Sequence, residues 1–144
     1  MNRSQNRRTF DEDILARAAE DWVTPGEVYW SANSASGLVD SGLLRDLSIG
    51  LLARLILQGL VVPGDLKTEG FSPWKMSAGA AISRIAREWL AFDEPSAVYP
   101  GAVFWLQATP TGVEIGESVW EREGSPPLKT PRTAKPVQPL AVSE

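Results

Sequence analysis

The segment from Ser41 to Gln58 constrains the fold of this 144-residue chain more than any other. Leu44, Leu47, Leu51 and Leu55 recur at helical spacing and make one apolar stripe, and Gly59 stands where a C-terminal cap belongs. Ile49, Leu52 and Ile56 make a second stripe on a different side. A helix that is apolar over most of its circumference either lies at the centre of its domain or shares a face with another chain. Ile49, Leu52 and Ile56 are therefore candidates both for internal core and for a homodimer or partner interface. The spacing also leaves open whether Ser48 divides the segment into two helices.

The remaining elements follow from capping and turn residues. Asp11 to Trp22 carries Ile14, Leu15, Ala18, Ala19 and Trp22 at helical spacing, with three acids in the first turn, where the helix dipole favours them. Thr24-Pro25-Gly26-Glu27 pairs a capping-box Thr and Glu with proline at the first helical position, which predicts a helix of about 8 residues. Leu60 to Val62 reads as a short strand closed by Pro63-Gly64-Asp65, and Gly70 to Met76 as a loop. From Ser77, the residues Ala81, Ile82, Ile85, Ala86 and Trp89 predict an amphipathic helix to about Leu90. Asp93 to Gly101 is a loop, Ala102 to Ala108 a strand, and Thr109-Pro110 starts a last helix that ends near Trp120. Gly124 to Pro139 holds five prolines and almost no large apolar residues. The expected organisation is thus a basic flexible arm over 1–9, one domain over 10–123 and a Pro-rich flexible tail over 124–144.

Absent residue types exclude more functions than present ones suggest. The chain has no His and no Cys, which removes Ser-His-Asp triads, thiol nucleophiles, ordinary zinc sites and iron-sulfur clusters. No glycine-rich phosphate loop occurs. Ser72 and Lys75 match the S-x-x-K of serine acyl-enzymes, but proline follows the serine and the partner motifs are missing. The acids Asp11, Glu12 and Asp13 are explained by the helix dipole, and Asp93 and Glu94 fall in a loop. No catalytic residue, metal site or cofactor is therefore assigned.

The net charge of -4 is unevenly spread. Residues 1–9 stand at +3 and 125–144 at +2, whereas 10–124 carry 8 basic and 17 acidic side chains. An acidic body repels nucleic acid unless its cations gather on one face. The absence of an apolar leader or of a spanning segment points to the cytoplasm and away from a membrane.

Two stretches resemble the winged helix-turn-helix superfamily. Ser48 to Val61 is similar to the end of its third helix and the first wing strand, and Phe104 to Gly112 to the second wing strand followed by a Thr-Pro-x-Gly helix start. The resemblance implies an α+β, winged-helix-like fold, mostly helical, with a small antiparallel sheet of two or three strands. It also implies a DNA-reading third helix. Here roughly 40 residues with a helix of their own separate the wing strands. The third helix offers only Arg45 and Arg54 beside Ile49, Gly50, Leu52, Ala53 and Ile56.

Of six tryptophans, five fall in expected helices or strands and read as packing, while Trp74, in a loop, is the candidate binding anchor. Pro136-Val137-Gln138-Pro139 fits P-x-x-P, a pattern that a Pro-rich tail produces easily. The sequence thus points to a small, acidic, non-enzymatic interaction or regulatory protein acting on a protein partner or as a homodimer through Trp74, Ile49, Leu52 and Ile56. An immunity or antitoxin-like protein, whose acidic surface matches a basic partner, is one form of it. The alternative is a winged-helix DNA-binding regulator using Arg7, Arg8, Arg45 and Arg54.

Overall fold

Five helices and three strands follow one another as α1 (Phe10–Glu20), α2 (Pro25–Ser36), α3 (Ser41–Leu57), β1 (Val61–Lys67), β2 (Gly70–Pro73), α4 (Ala78–Leu90), β3 (Trp105–Ala108) and α5 (Pro110–Arg122). The computed structural model describes residues 7–96, 98–124 and 136–142. The architecture is α+β, mostly helical, with an antiparallel sheet in the order β2-β1-β3.

Helix starts fall where the capping chemistry puts them. The Glu27 amide donates to the Thr24 hydroxyl at 3.3 Å and the Thr24 amide to the Glu27 carboxylate at 3.0 Å, closing the capping box read from the sequence. Thr9 and Glu12 form a second box at the start of α1. The helix α2 is longer than the eight residues expected and ends at Gly37, whose φ of 73° is the left-handed cap. Ser31 and Ala32 turn inward, and burial holds a stretch whose polar composition reads as fading. Asp40 caps α3, which runs unbroken. The buried Ser48 hydroxyl donates to the Leu44 carbonyl at 2.7 Å, so it bonds back into the helix instead of starting a new one.

The strands depart from expectation in three places. Pro63-Gly64 is not a turn, and β1 runs straight through it to Lys67. A Cβ at Gly64 would lie 2.4 Å from the Ser72 carbonyl oxygen and 2.9 Å from Pro73 Cα, so the glycine permits a close strand approach. The chain reverses at Thr68-Glu69, and Gly70–Pro73, expected as a loop, pairs with β1 as β2. Val61 to Gly64 pair with Trp105 to Ala108, joining the two strands across the inserted β2 and α4. Val23 adds a single bridge to Leu106, with amide–carbonyl distances of 3.1 and 2.9 Å. The strand β3 is shorter than the expected Ala102–Ala108 because Val103 takes a φ of 63° just before it.

At the start of α5 the Thr109 hydroxyl donates to the Gly59 carbonyl at 2.7 Å and accepts from the Gly112 amide at 3.3 Å. A Cβ at Gly112 would stand 2.2 Å from the Leu60 carbonyl oxygen, which explains the glycine of Thr-Pro-x-Gly through packing, as the cap explains the threonine. The core gathers Ile14, Leu15, Leu52, Leu55, Ile56, Val61, Ile85, Trp89, Phe104 and Leu106. Trp89 and Phe104 meet edge to face at 6.1 Å.

Both ends of the chain differ from the expected free arm and tail wherever they are described. Val137 is buried, Leu140 packs on the core, and the Ala78 amide donates to the Ala141 carbonyl at 2.7 Å. These contacts tie 136–142 to the start of α4. The P-x-x-P stretch over 136–139 is thus held by its own chain. Of the arm, Arg7 to Thr9 lie against the body, and residues 1–6 fall outside the described residues. No described helix is long and apolar enough to cross a membrane.

Candidate interaction surface

At 100° per residue, α3 has two distinct sides. Leu44, Ser48, Leu52, Leu55 and Ile56 face the core and are buried. Leu43, Asp46, Gly50, Arg54 and Leu57 follow one another at steps of three or four residues along the opposite side, with Leu47, half-buried against the core, at its edge. Leu43 is 58% exposed and Leu57 47% exposed, and Gly50 and Arg54 between them are exposed as well. The outward stripe of α3 is therefore apolar at both ends and bare backbone in the middle.

This geometry corrects the expected partner-binding set. Leu52 and Ile56 have no exposed surface and Ile49 is half-buried against the core, so the second stripe packs inside its own domain. Trp74, expected as a loop anchor, is only 5% exposed. It follows β2, its amide donates to the Pro63 carbonyl at 3.1 Å, and the Arg84 guanidinium stacks 3.8 Å from its ring centroid. With Trp22 and Phe71 it lines a groove of about 670 Å³ that Val137 and Leu140 also line. The tryptophan that does face outward is Trp30 on α2, at 57% exposure, in edge contact with Tyr29.

The four basic candidates do not converge. Arg8 grips Glu123 through two bonds of 2.8 and 2.7 Å, reaches Asp13 at 3.0 Å and lies 4.6 Å over the Trp120 ring. The hydrogen bonds to Glu123 raise the Arg8 pKa above its ordinary value and hold the Glu123 carboxyl below the usual range. Arg54 holds both Asp11 oxygens at 2.8 and 2.9 Å, and Arg45 pairs with Asp46 at 3.0 Å. Arg7 donates to the Ser34 carbonyl. Three of the four cations already face a carboxylate of the same chain, which corrects their reading as a ready phosphate-binding set.

The acids of α1 explain why. Asp11 meets Arg54, Glu12 meets Arg122, and Asp13 meets Arg8 and Arg17. The Arg122 hydrogen bond holds the Glu12 carboxyl below its ordinary pKa. For Asp13, burial opposes ionisation, but the neighbouring Ser31 hydroxyl and the bonds from Arg8 and Arg17 outweigh it and the carboxyl is again lowered. The first turn of α1 is thus the hub of an ion-pair network that the helix dipole alone does not describe. No group of acidic residues able to hold a metal occurs among the described residues. Ser72 lies on β2 opposite Asp65, so it and Lys75 do not share a helical turn as S-x-x-K chemistry requires.

The fold and this surface together define an α+β domain whose described cations are largely spent on its own acids and whose central helix presents apolar side chains outward. Comparison of the chain with family models, curated proteins and solved structures gives no match.

Proposed function

We propose that this chain is a small, acidic, non-enzymatic interaction module on a winged-helix-like scaffold, acting through protein–protein contacts. The scaffold reading is supported by three helices leading into β1, by the antiparallel pairing of β1 with β3, and by the Thr109-capped helix that follows. Val23 supports it too, since it adds a strand position between α1 and α2 to the edge of β3. In this reading β2 and α4 are an insertion between the two wing strands.

The outward stripe of α3 carries the functional reading. In a DNA-reading winged helix this face needs side chains that reach phosphates and base edges. Here it carries Leu43, Asp46, Gly50 and Leu57, and its one arginine is held by Asp11. Exposed Leu at both ends of a helix face suits apolar contact with another protein. A regulator or an immunity-like protein that neutralises a basic partner is the class that combines this face with an acidic body.

Titration of labelled duplex DNA with the full chain at two salt concentrations tests the reading. The expected result is no saturable binding below roughly tens of micromolar protein at either salt, the range of non-specific association. Binding that is micromolar or tighter and weakens steeply with salt overturns it in favour of DNA regulation.

A further inference from the structure

The outward stripe of α3 is complementary to itself. Leu43 and Leu57 stand equally far from Gly50 on either side, and so do Asp46 and Arg54. If two copies of the helix lie antiparallel across a twofold axis at Gly50, residues equidistant from the glycine meet. Leu43 of one copy then faces Leu57 of the other, and Asp46 faces Arg54, at both ends of the contact. The spacing of Leu43, Leu47, Gly50, Arg54 and Leu57 is also the alternating three-and-four step that keeps a helix seam against its partner. A Cβ built at Gly50 meets nothing within 4 Å, so the centre is open and the helix axes can come close.

From this complementarity we infer that the chain forms a twofold-symmetric dimer through α3, the occupant of the stripe being a second copy of the same chain. The inference rests on the interaction reading above and names its partner. The charges are accessible although each has a partner within its own copy: the side chain of Asp46, paired with Arg45, is 60% exposed and that of Arg54 53% exposed. Arg54 holds Asp11 within its own copy, and its fork presents further N–H donors to the Asp46 of the second copy. Val39, 88% exposed just before the Asp40 cap, lengthens the apolar surface at the N-terminal end. An isologous contact of this kind closes on itself and leaves no open end for polymerisation. Two helices of this length, with the flanking loop, fall short of the ~1,600 Å² typical of stable complexes, so the dimer is weak and concentration-dependent.

Sedimentation of the full chain across concentration, with three surface variants, tests the inference. Wild type is expected to pass from monomer to dimer between roughly 1 and 200 µM. Leu57→Asp, on an exposed position, shifts that transition up at least ~10-fold, which circular dichroism separates from loss of fold. Asp46→Arg alone places Arg against Arg, and Arg54→Glu alone places Glu against Asp, so each weakens the dimer. Mixed in equal amounts, these two variants restore opposite charges at both ends and dimerise again as a heterodimer. The inference is overturned by a wild-type chain that stays monomeric, by a dimer indifferent to Leu57→Asp, or by a mixture that fails to recover. A monomer that also ignores DNA removes this partner but leaves the interaction reading standing, whereas DNA binding removes the reading itself.

Discussion

The two ends of the ion-pair hub and the outward side of α3 handle surface in opposite ways. Where α1 meets α5, charge is matched within the chain: Arg8 with Glu123 and Asp13, Arg122 with Glu12, and the Trp120 indole donating to the Ala16 carbonyl at 2.8 Å. On α3 the outward residues have apolar side chains that nothing in the described chain covers at Leu43 and Leu57. The difference teaches where a partner is to be sought. A net charge invites attention to arginines, yet Arg8 and Arg122 tie the start of α1 to the end of α5, while Leu43 and Leu57 stay open.

Substitutions on the two sides of α3 and at the hub sharpen this contrast. Leu52→Ala removes a fully buried side chain and is expected to cost about 2–5 kcal/mol, read as a fall in the denaturant midpoint at unchanged slope. Arg8→Ala breaks a two-pronged, partly exposed ion pair and its stacking on Trp120, for a smaller loss of roughly 1–2 kcal/mol in the same assay. If Arg8→Ala costs nothing, the hub is surface decoration and the contrast fails.

Acid should weaken the hub where α1 meets α5. Glu123 and Glu12 ionise below their ordinary value of 4.5 because Arg8 and Arg122 hydrogen-bond to them. Near and below that value the unfolded chain binds more protons than the folded one. The stabilisation is therefore full above pH 4.5 and is lost as pH falls through the lower folded values. These carboxylates are solvent-facing, so the effect is modest. Thermal melts from neutral to acid pH should show the decline in wild type and a shallower one in Arg8→Ala. The smallest effect is expected for Leu57→Ala, within about 0.5 kcal/mol of wild type at low concentration, since its side chain gains little from folding.

Much of the architecture was legible where local chemistry decides it. Thr24 with Glu27, Ser77 and Thr109 with Pro110 each mark a helix start because a side-chain oxygen caps the first turn. The Val, Phe and Trp of Ala102 to Ala108 marked the strand before Thr109, of which Trp105–Ala108 pairs. Pro63-Gly64 misled because the pair is a common turn signal, and only the approach of Ser72 and Pro73 reveals why a strand needs glycine there. Trp74 does lie in the loop after β2, but its bond to the Pro63 carbonyl and the Arg84 stack bury it, contacts that depend on a strand the sequence did not reveal.

The candidate surface was less legible, and α3 explains why. A helix apolar on nearly every side gives no direction, so the two stripes of the sequence do not show which residues are left outside. Tertiary packing drew both stripes toward the core, with Leu44 and Leu55 of the first and Leu52 and Ile56 of the second buried, and left Leu43 and Leu57, which belong to neither, exposed. The ion pairs were hidden by distance along the chain, with Arg8 and Glu123 separated by 115 positions. Only the fold brings them together, and only then do the basic residues cease to look available.

The central claim is that the outward face of α3 is the surface this chain offers to a partner. Amide proton–nitrogen correlation spectra recorded as the full chain is diluted test it most directly. The account predicts shifts concentrated at Leu43, Asp46, Gly50, Arg54 and Leu57, with Arg8, Trp120 and Glu123 unmoved. Shifts confined to the groove of Trp22, Phe71 and Trp74, or spectra unchanged across the whole dilution, would contradict it.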